Sequence, residues 1–274
     1  MYDLRLERLR QRYPDLDERG LQLQDVLDSL MVSERDALPK VRAWLDAGED
    51  PNAVSALSYD NTSILAEALS HGRVESVRLL LARGARVEDI HFSAAMHGST
   101  PEQRALPIMK LLVSAGADVN KPRGGSTIPG TSPLMSAVRR KNYNVAKYLL
   151  SQGADVNYVV PGESWSPDAL AVARHNTNNG GYRRVEGADI EFYRFLTNVV
   201  AAGGWKPYVR APRVALVVLR RLCEKERARP PPELARLFAL DKFIFWRVLS
   251  FWRSDRDLPL HITTRKTTAP YYYW

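Results

Sequence analysis

Three features of the sequence have residue types and spacings that could do chemistry. Residues 125–132, GSTIPGTS, carry the glycine spacing and final hydroxyl of a phosphate-cradling loop. Such a loop needs a lysine to reach the outer phosphates, and Thr131 stands in its place. No buried strand is expected before it, so the segment reads as a projecting turn and not a nucleotide site. The five histidines, at 71, 91, 97, 175 and 261, include no two at helical metal-ligand spacing. His71, in HGRVES, fits a structural turn between helices. Cys223 is the one cysteine, which excludes an internal disulfide and a multi-cysteine zinc site. Flanked by Leu219 and Leu222, it reads as a buried small residue and not a nucleophile. The carboxylates are scattered, so no enzyme activity, cofactor or metal is expected.

The elements that must position any site follow from length and composition. With 274 residues, 45% of them apolar, the chain can build one large or two modest domains with a real core. The first ten residues, MYDLRLERLR, lack the apolar stretch of a secretory signal, and no run approaches a membrane span. An intracellular protein, cytoplasmic or nuclear, is expected. The net charge of +8 is uneven: residues 205–274 hold 15 Lys and Arg against 6 Asp and Glu, and the remainder 24 against 25. A basic C-terminal third suits nucleic acid, an anionic membrane, an acidic protein partner or simply a solvated helix surface.

Internal self-similarity is the strongest pattern. Five segments share an apolar helix that runs into a glycine and a short polar turn. They are residues 41–52 (VRAWLDAGEDPN), 77–88 (VRLLLARGARVE), 109–120 (MKLLVSAGADVN), 146–157 (AKYLLSQGADVN) and, less closely, 193–205 (YRFLTNVVAAGGW). The glycines fall at 48, 84, 116, 153 and about 203. Each is placed to end a helix with positive φ, which glycine adopts without a Cβ clash. The Asp or Asn that follows suits a tight turn. A second, shorter helix precedes each of these. Ser132-Pro133 shows its start, with serine to cap and proline at the first helical position. Ser63 and Ser166-Pro167 begin similar segments, residues 89–95 form a looser copy, and residues 21–30 are the shorter helix of the first unit. An apolar stripe this short cannot bury itself alone, so such units are expected to stack in a row.

These units resemble ankyrin repeats over residues 21–205. SPLMSA (132–137) and SPDALA (166–171) are similar to the family's Thr-Pro-Leu-His opening, and GADVN at 116–120 and 153–157 matches its closing turn. At the position of the family's histidine the chain has Ala66, Phe92, Met135 and Ala169, so that residue's usual hydrogen bonds are not available. The resemblance implies an all-α, ankyrin-type helical solenoid of about five repeats, with short hairpin fingers. It implies non-catalytic binding of another protein on a concave face made by the fingers and shorter helices. The fingers are 53–62 (AVSALSYDNT), 121–131 (KPRGGSTIPGT) and 158–165 (YVVPGESW). Tyr59, Lys121, Arg123, Tyr158 and Trp165 are the candidate partner-binding residues, being of the types that dominate interface energetics. For Trp165 the competing role is packing against the neighbouring finger.

Beyond Trp205 the pattern changes. Residues 212–229 read as a helix stopped by Pro230-Pro231-Pro232, followed by 233–238 and by KFIFWRVLSFW at 242–252. That last helix is apolar on almost every side, so it is buried in a small bundle capping the repeats or docks on a partner. Phe245, Trp246, Leu249 and Trp252 are its candidate docking residues. Two segments resemble docking boxes of ubiquitin-ligase adaptors in part. LRRLC at 219–223 with PPELARLF at 231–238 is similar to a SOCS box, with Arg227 where that box has an apolar residue. FWRVLSFW at 245–252 is similar to the core of an F-box without its Leu-Pro opening. The alternative functions are therefore a substrate adaptor of a cullin-type ligase, with ligase components as partners, and nucleic-acid binding through the basic C-terminal third. The expected organisation is a charged N-terminal arm or helix (1–20), repeats (21–205), a C-terminal helical module (206–253) and a flexible tail (254–274).

Overall fold

The structure, a computed structural model, describes residues 2–55, 57, 62–88, 90–95, 102–121, 131–159, 168–178 and 187–251. Every regular element among them is a helix, apart from one isolated antiparallel bridge between Val54 and Ser63. The chain divides into two compact units, Met1–Ala154 with Tyr158–Pro167, and Asp155–Asn157 with Asp168–Trp274.

The first unit contains nine described helices: α1 (Tyr2–Arg12), α2 (Glu18–Val32), α3 (Glu34–Asp46), α4 (Ile64–Ser70), α5 (Val74–Ala82), α6 (Ile90–Ala95), α7 (Glu102–Ser114), α8 (Pro133–Arg139) and α9 (Tyr143–Ser151). They pair as α2–α3, α4–α5, α6–α7 and α8–α9. The first members, α2, α4, α6 and α8, touch in sequence, and so do the second members, α3, α5, α7 and α9. This is a stack of hairpins in which each unit is buried only by its neighbours. Its core includes Leu30, Val41, Leu69, Leu80, Met109, Leu112, Leu134 and Leu149, all essentially inaccessible. Helix α1, in the charged N-terminal segment, packs on α2, with Leu9 buried.

The helix ends are built alike. Gly48, Gly84, Gly116 and Gly153 take φ of 80°, 89°, 90° and 96°. The pattern is one doubly bonded cap. Gly116 N–H donates to Val113 O while Ala117 N–H donates to Leu112 O, and Gly153 and Ala154 repeat this on Leu150 and Leu149. Gly203, at φ 81°, ends α11 of the second unit (Gly187–Ala201) in the same way. At the helix starts, Ser63 accepts from Ala66 N–H and Ser132 from Met135 N–H, as the serine caps require. Ser33 caps α3, and its hydroxyl and Asp36 bond reciprocally across that first turn.

Helices α3 and α7 share a feature not recognised from sequence. Both read E-x-x-A-L-P, with a proline at the sixth position, Pro39 and Pro107, inside the helix. Each proline is exposed, and each forgoes a bond to the carbonyl four residues back, on an exposed residue that water can serve. Ala37 and Ala105, two residues earlier, are fully buried.

The second unit contains α10 (Ala169–Asn178), α11, α12 (Trp205–Glu224), a 3-10 turn at Pro232–Leu234, α13 (Ala235–Phe238) and α14 (Lys242–Phe251). Helix α10 pairs with α11, and α11 continues onto α12 through a cluster of Phe192, Phe195, Trp205 and Tyr208. Three expectations need correction. The helix anticipated over 212–229 begins seven residues earlier, because Gly204 at φ 116° starts it and Pro212 is accommodated inside. Helix α10 is capped by Asp168, which accepts from Ala171 N–H at 2.7 Å, two residues beyond the start expected at Ser166. Cys223 is half-buried and not buried.

Candidate protein-binding surface

The side chains that could meet a partner are set by turns whose geometry the sequence dictates. In three repeats an aspartate after the helix-ending glycine accepts from the backbone N–H of the asparagine two residues on. Asp50 serves Asn52 at 2.8 Å, Asp118 serves Asn120 at 2.9 Å and Asp155 serves Asn157 at 2.9 Å. These asparagines also link turns. Asn52 Oδ1 accepts from Arg86 N–H at 2.7 Å, and Asn120 Nδ2 donates to Gly153 O at 3.1 Å. The second turn, GARVE, lacks the aspartate, and its backbone instead leans on Asn52.

Helix ends are tied the same way. Arg73, almost fully buried, donates from Nε to Leu30 O at 2.6 Å and from Nη2 to Met31 O at 3.0 Å, serving carbonyls that α2 leaves unpaired at its C-terminus. Burial, with the Arg104 cation, pulls its guanidinium below the ordinary value, while Glu34 acts in the opposite direction. Glu34 accepts from both the backbone N–H and the hydroxyl of Ser76. Lys40 and Asp25 form a buried ion pair at 2.6 Å between α3 and α2.

The base of the first finger is set by backbone pairing. Ser55 N–H donates to Thr62 O and Ile64 N–H to Ala53 O, both at 3.2 Å, so the hairpin is closed at its base. A cleft of about 290 Å³ lies between this finger and the start of α2, lined by Leu16, Leu23, Trp44, Val54 and Leu57 with Asp17, Arg19 and Gln24. Trp44 is buried and spends its indole N–H on Asp50 O at 3.1 Å, whereas Val54 and Leu57 are 43% and 44% exposed. Apolar side chains displayed beside a partly polar cleft are what a protein surface offers to a peptide or a partner side chain.

Of the residues singled out from sequence, Lys121 lies exposed where the third turn closes, its N–H on Asp118 O. Tyr158 is half-buried in the fourth. Tyr59, Arg123, Trp165 and Trp252 lie outside the described residues, as does most of the 125–132 segment. Ser132 of that segment is the cap of α8. In α14, Phe245 and Leu249 turn inward and are buried, and Trp246 is half exposed. Phe243, Ile244 and Val248, not singled out before, are also exposed. His71 caps α4 and its Nε2 lies 3.1 Å from Glu67 Oε1, a structural use. Among the described residues no group of His, Cys, Asp and Glu could hold a metal ion. No described helix is long and apolar enough to cross a membrane.

Sequence reasoning missed Val54, Leu57, Arg73 and the two linking asparagines. The asparagines had a signal, the repeated turn ending in Asn, but a turn motif does not say which neighbouring backbone its amide will reach.

A family model for ankyrin repeats, in three copies, matches residues 91–159. The chain carries ankyrin repeats. The chain is similar to "Potassium channel AKT1" of Arabidopsis thaliana, 44% identical over 70 residues, 26% of this chain and 8% of that protein. It is 33% identical over 133 residues to "Ankyrin repeat and KH domain-containing protein mask-1" of Caenorhabditis elegans, 48% of this chain and 5% of that one. It is 34% identical over 121 residues to a "Putative ankyrin repeat-containing protein" of Treponema pallidum (strain Nichols), 42% of this chain and 37% of that one. The chain thus spans 37% or less of each of these relatives. Ankyrin repeats mark a protein–protein interaction domain, and this chain's repeats imply a protein partner.

Proposed function

We propose that the ankyrin repeats bind another protein, without catalysis, through their fingers and the helix starts beside them. The carrying observation is the cleft beneath the first finger, where Val54 and Leu57 are exposed next to a buried Trp44. Tyr59, Lys121, Arg123, Tyr158 and Trp165 are the finger side chains proposed to add anchors to that surface. Affinity comes from a few such anchors on a scaffold that need not be ordered on binding. Proximity labelling in the native cell identifies the partner, and titration calorimetry then compares variants. Leu57→Asp and Tyr158→Ala are expected to weaken binding by about tenfold or more while the unfolding midpoint stays put. Unchanged affinity in both would place the interface elsewhere.

A second reading gives residues 206–253 a role as the docking box of a cullin-type ligase adaptor. It is favoured by the apolar residues that α14 leaves uncovered. Pull-down with elongin or with the F-box receptor tests it, and absence of binding to either removes it.

A further inference from the structure

The first finger has an open backbone edge. Val54 and Ser63 face each other in an antiparallel bridge. The bonds that hold them run on either side, from Ser55 N–H to Thr62 O and from Ile64 N–H to Ala53 O. Val54 is thus in a non-hydrogen-bonded pair, and in such a pair each residue's N–H and C=O point away from the opposing strand. On the other side of the hairpin Ser63 turns into α4. There its carbonyl accepts from Glu67 N–H at 3.0 Å and its hydroxyl caps the helix. On the Val54 side nothing comparable happens. Neither its N–H nor its C=O has a hydrogen-bond partner among the described residues, and Val54 is 43% exposed.

That edge borders the cleft of about 290 Å³. One wall of the cleft is the strand itself, Val54 and Ser55, and the other is the start of α2, with Leu16 and Leu23. The polar side chains around it are engaged. Asp17 accepts from Gly20 N–H, Gln24 Oε1 accepts from the Ser55 hydroxyl at 3.3 Å, and Arg19 pairs with Glu49. Val54 supplies a donor and an acceptor that are not so spent. A donor and an acceptor on one extended residue match one residue of another extended chain, which exchanges both bonds when it runs antiparallel. A helical segment has no such pair to give, because its backbone groups are bonded within it.

We propose that this edge receives an extended segment of the partner protein as an added strand. The segment pairs on Val54 and sets an apolar side chain in the cleft between Leu16, Leu23 and Leu57. The inference rests on the proposal that this cleft binds a protein, and adds the conformation of what it binds. The finger's backbone fixes where the segment lies, and the cleft selects its side chain. Val54 suits the task, as a β-branched residue that favours extended backbone. An unpaired strand edge is a template for any free strand. The rival occupant, the Val54 edge of a second copy, is therefore separated by the test.

The test selects peptides from a random heptapeptide phage library on the full chain and measures their affinity by fluorescence anisotropy. Val54→Pro removes the donor without breaking a bond of the hairpin, because that N–H lies on the open side. Val54→Ala shortens the side chain and keeps the donor. Selected peptides are expected to lose about tenfold more affinity with Val54→Pro than with Val54→Ala. They are expected to lose as much when the nitrogen of one peptide residue, the paired one, is methylated, and to slow amide exchange at Val54. Equal losses in the two variants, with Leu57→Asp still weakening binding, overturn the strand pairing and leave the cleft as the binding surface. Peptides indifferent to all three variants overturn both. A library that yields no binding peptide overturns the pairing, as does a dimer in sedimentation that Val54→Pro dissociates. Should Val54→Pro lose its far-ultraviolet circular dichroism, the methylated peptides and Val54 exchange on the unaltered chain decide alone.

Discussion

The repeats of the first unit and the α12–α14 region of the second use one device to opposite ends. Each holds a nearly buried arginine, Arg73 at 8% exposure and Arg220 at 9%, that donates to backbone carbonyls near the end of another helix. On the hairpins that Arg73 joins most apolar side chains are covered: Leu30, Leu69, Val77 and Leu80 are inaccessible, and Met31 and Val32 at the end of α2 are the exposed exceptions. Around Arg220 they are not. Phe243 is 72% exposed, and Ile244, Trp246, Val248, Val214 and Val218 are open as well. An interhelical arginine therefore fixes where two helices meet but says nothing about how much apolar area they hide. In the repeats the next hairpin supplies the cover, and in α12–α14 no described element does.

The largest effect separates the two regions by cavity cost. Leu112→Ala or Leu149→Ala, each at a fully buried site, is expected to destabilise by about 2–5 kcal/mol. Phe243→Ala, at an exposed one, is expected to stay within about 0.5 kcal/mol. Urea unfolding midpoints check both, and equal losses would erase the contrast. The arginines come next. Arg73→Met removes two bonds to carbonyls that nothing else is placed to replace and is expected to cost about 2 kcal/mol. Arg220→Met also removes an enclosed nitrogen that lacks an acceptor, so its loss is expected to be about half as large. The helix-ending glycines give a smaller, signed effect. Gly116→Ala forces a Cβ into the left-handed region and is expected to cost about 1 kcal/mol, although nothing lies within 4 Å of that Cβ. Gly187→Ala, at the start of α11 with no positive φ and equal room, is expected to gain a few tenths of a kcal/mol. The smallest test is Asn120→Ala, which removes the bond to Gly153 O and is expected to cost about 0.5–1 kcal/mol, read as faster amide exchange in the third and fourth turns.

Much of the repeat fold was legible because its signals are local. A glycine that must take positive φ, a serine before a helix and an Asp-x-Asn turn each act within six residues, and Gly48, Gly84, Gly116, Gly153, Ser63 and Ser132 all do what their neighbours in sequence require. The start of α12 was misjudged because Pro212 looks like a first-turn proline, whereas the true start is fixed by Gly204 and by the packing of Trp205 and Tyr208 on Phe195. The role of α1 was invisible because a charged sequence does not reveal that one face, at Leu9, meets α2. For the candidate site, residue type identified Tyr158 and Lys121 as finger side chains, but the cleft depends on Leu16, Trp44 and Leu57 meeting from three separate segments. Only folding brings those together.

The base of the first finger has one more consequence. The paired rungs Ser55–Thr62 and Ala53–Ile64 are backbone to backbone, so they place no demand on what lies between positions 55 and 62. The stalk is thus a socket whose contents can be exchanged while the hairpin behind it keeps its register, which makes this point of the chain suited to receiving a transplanted loop of foreign sequence.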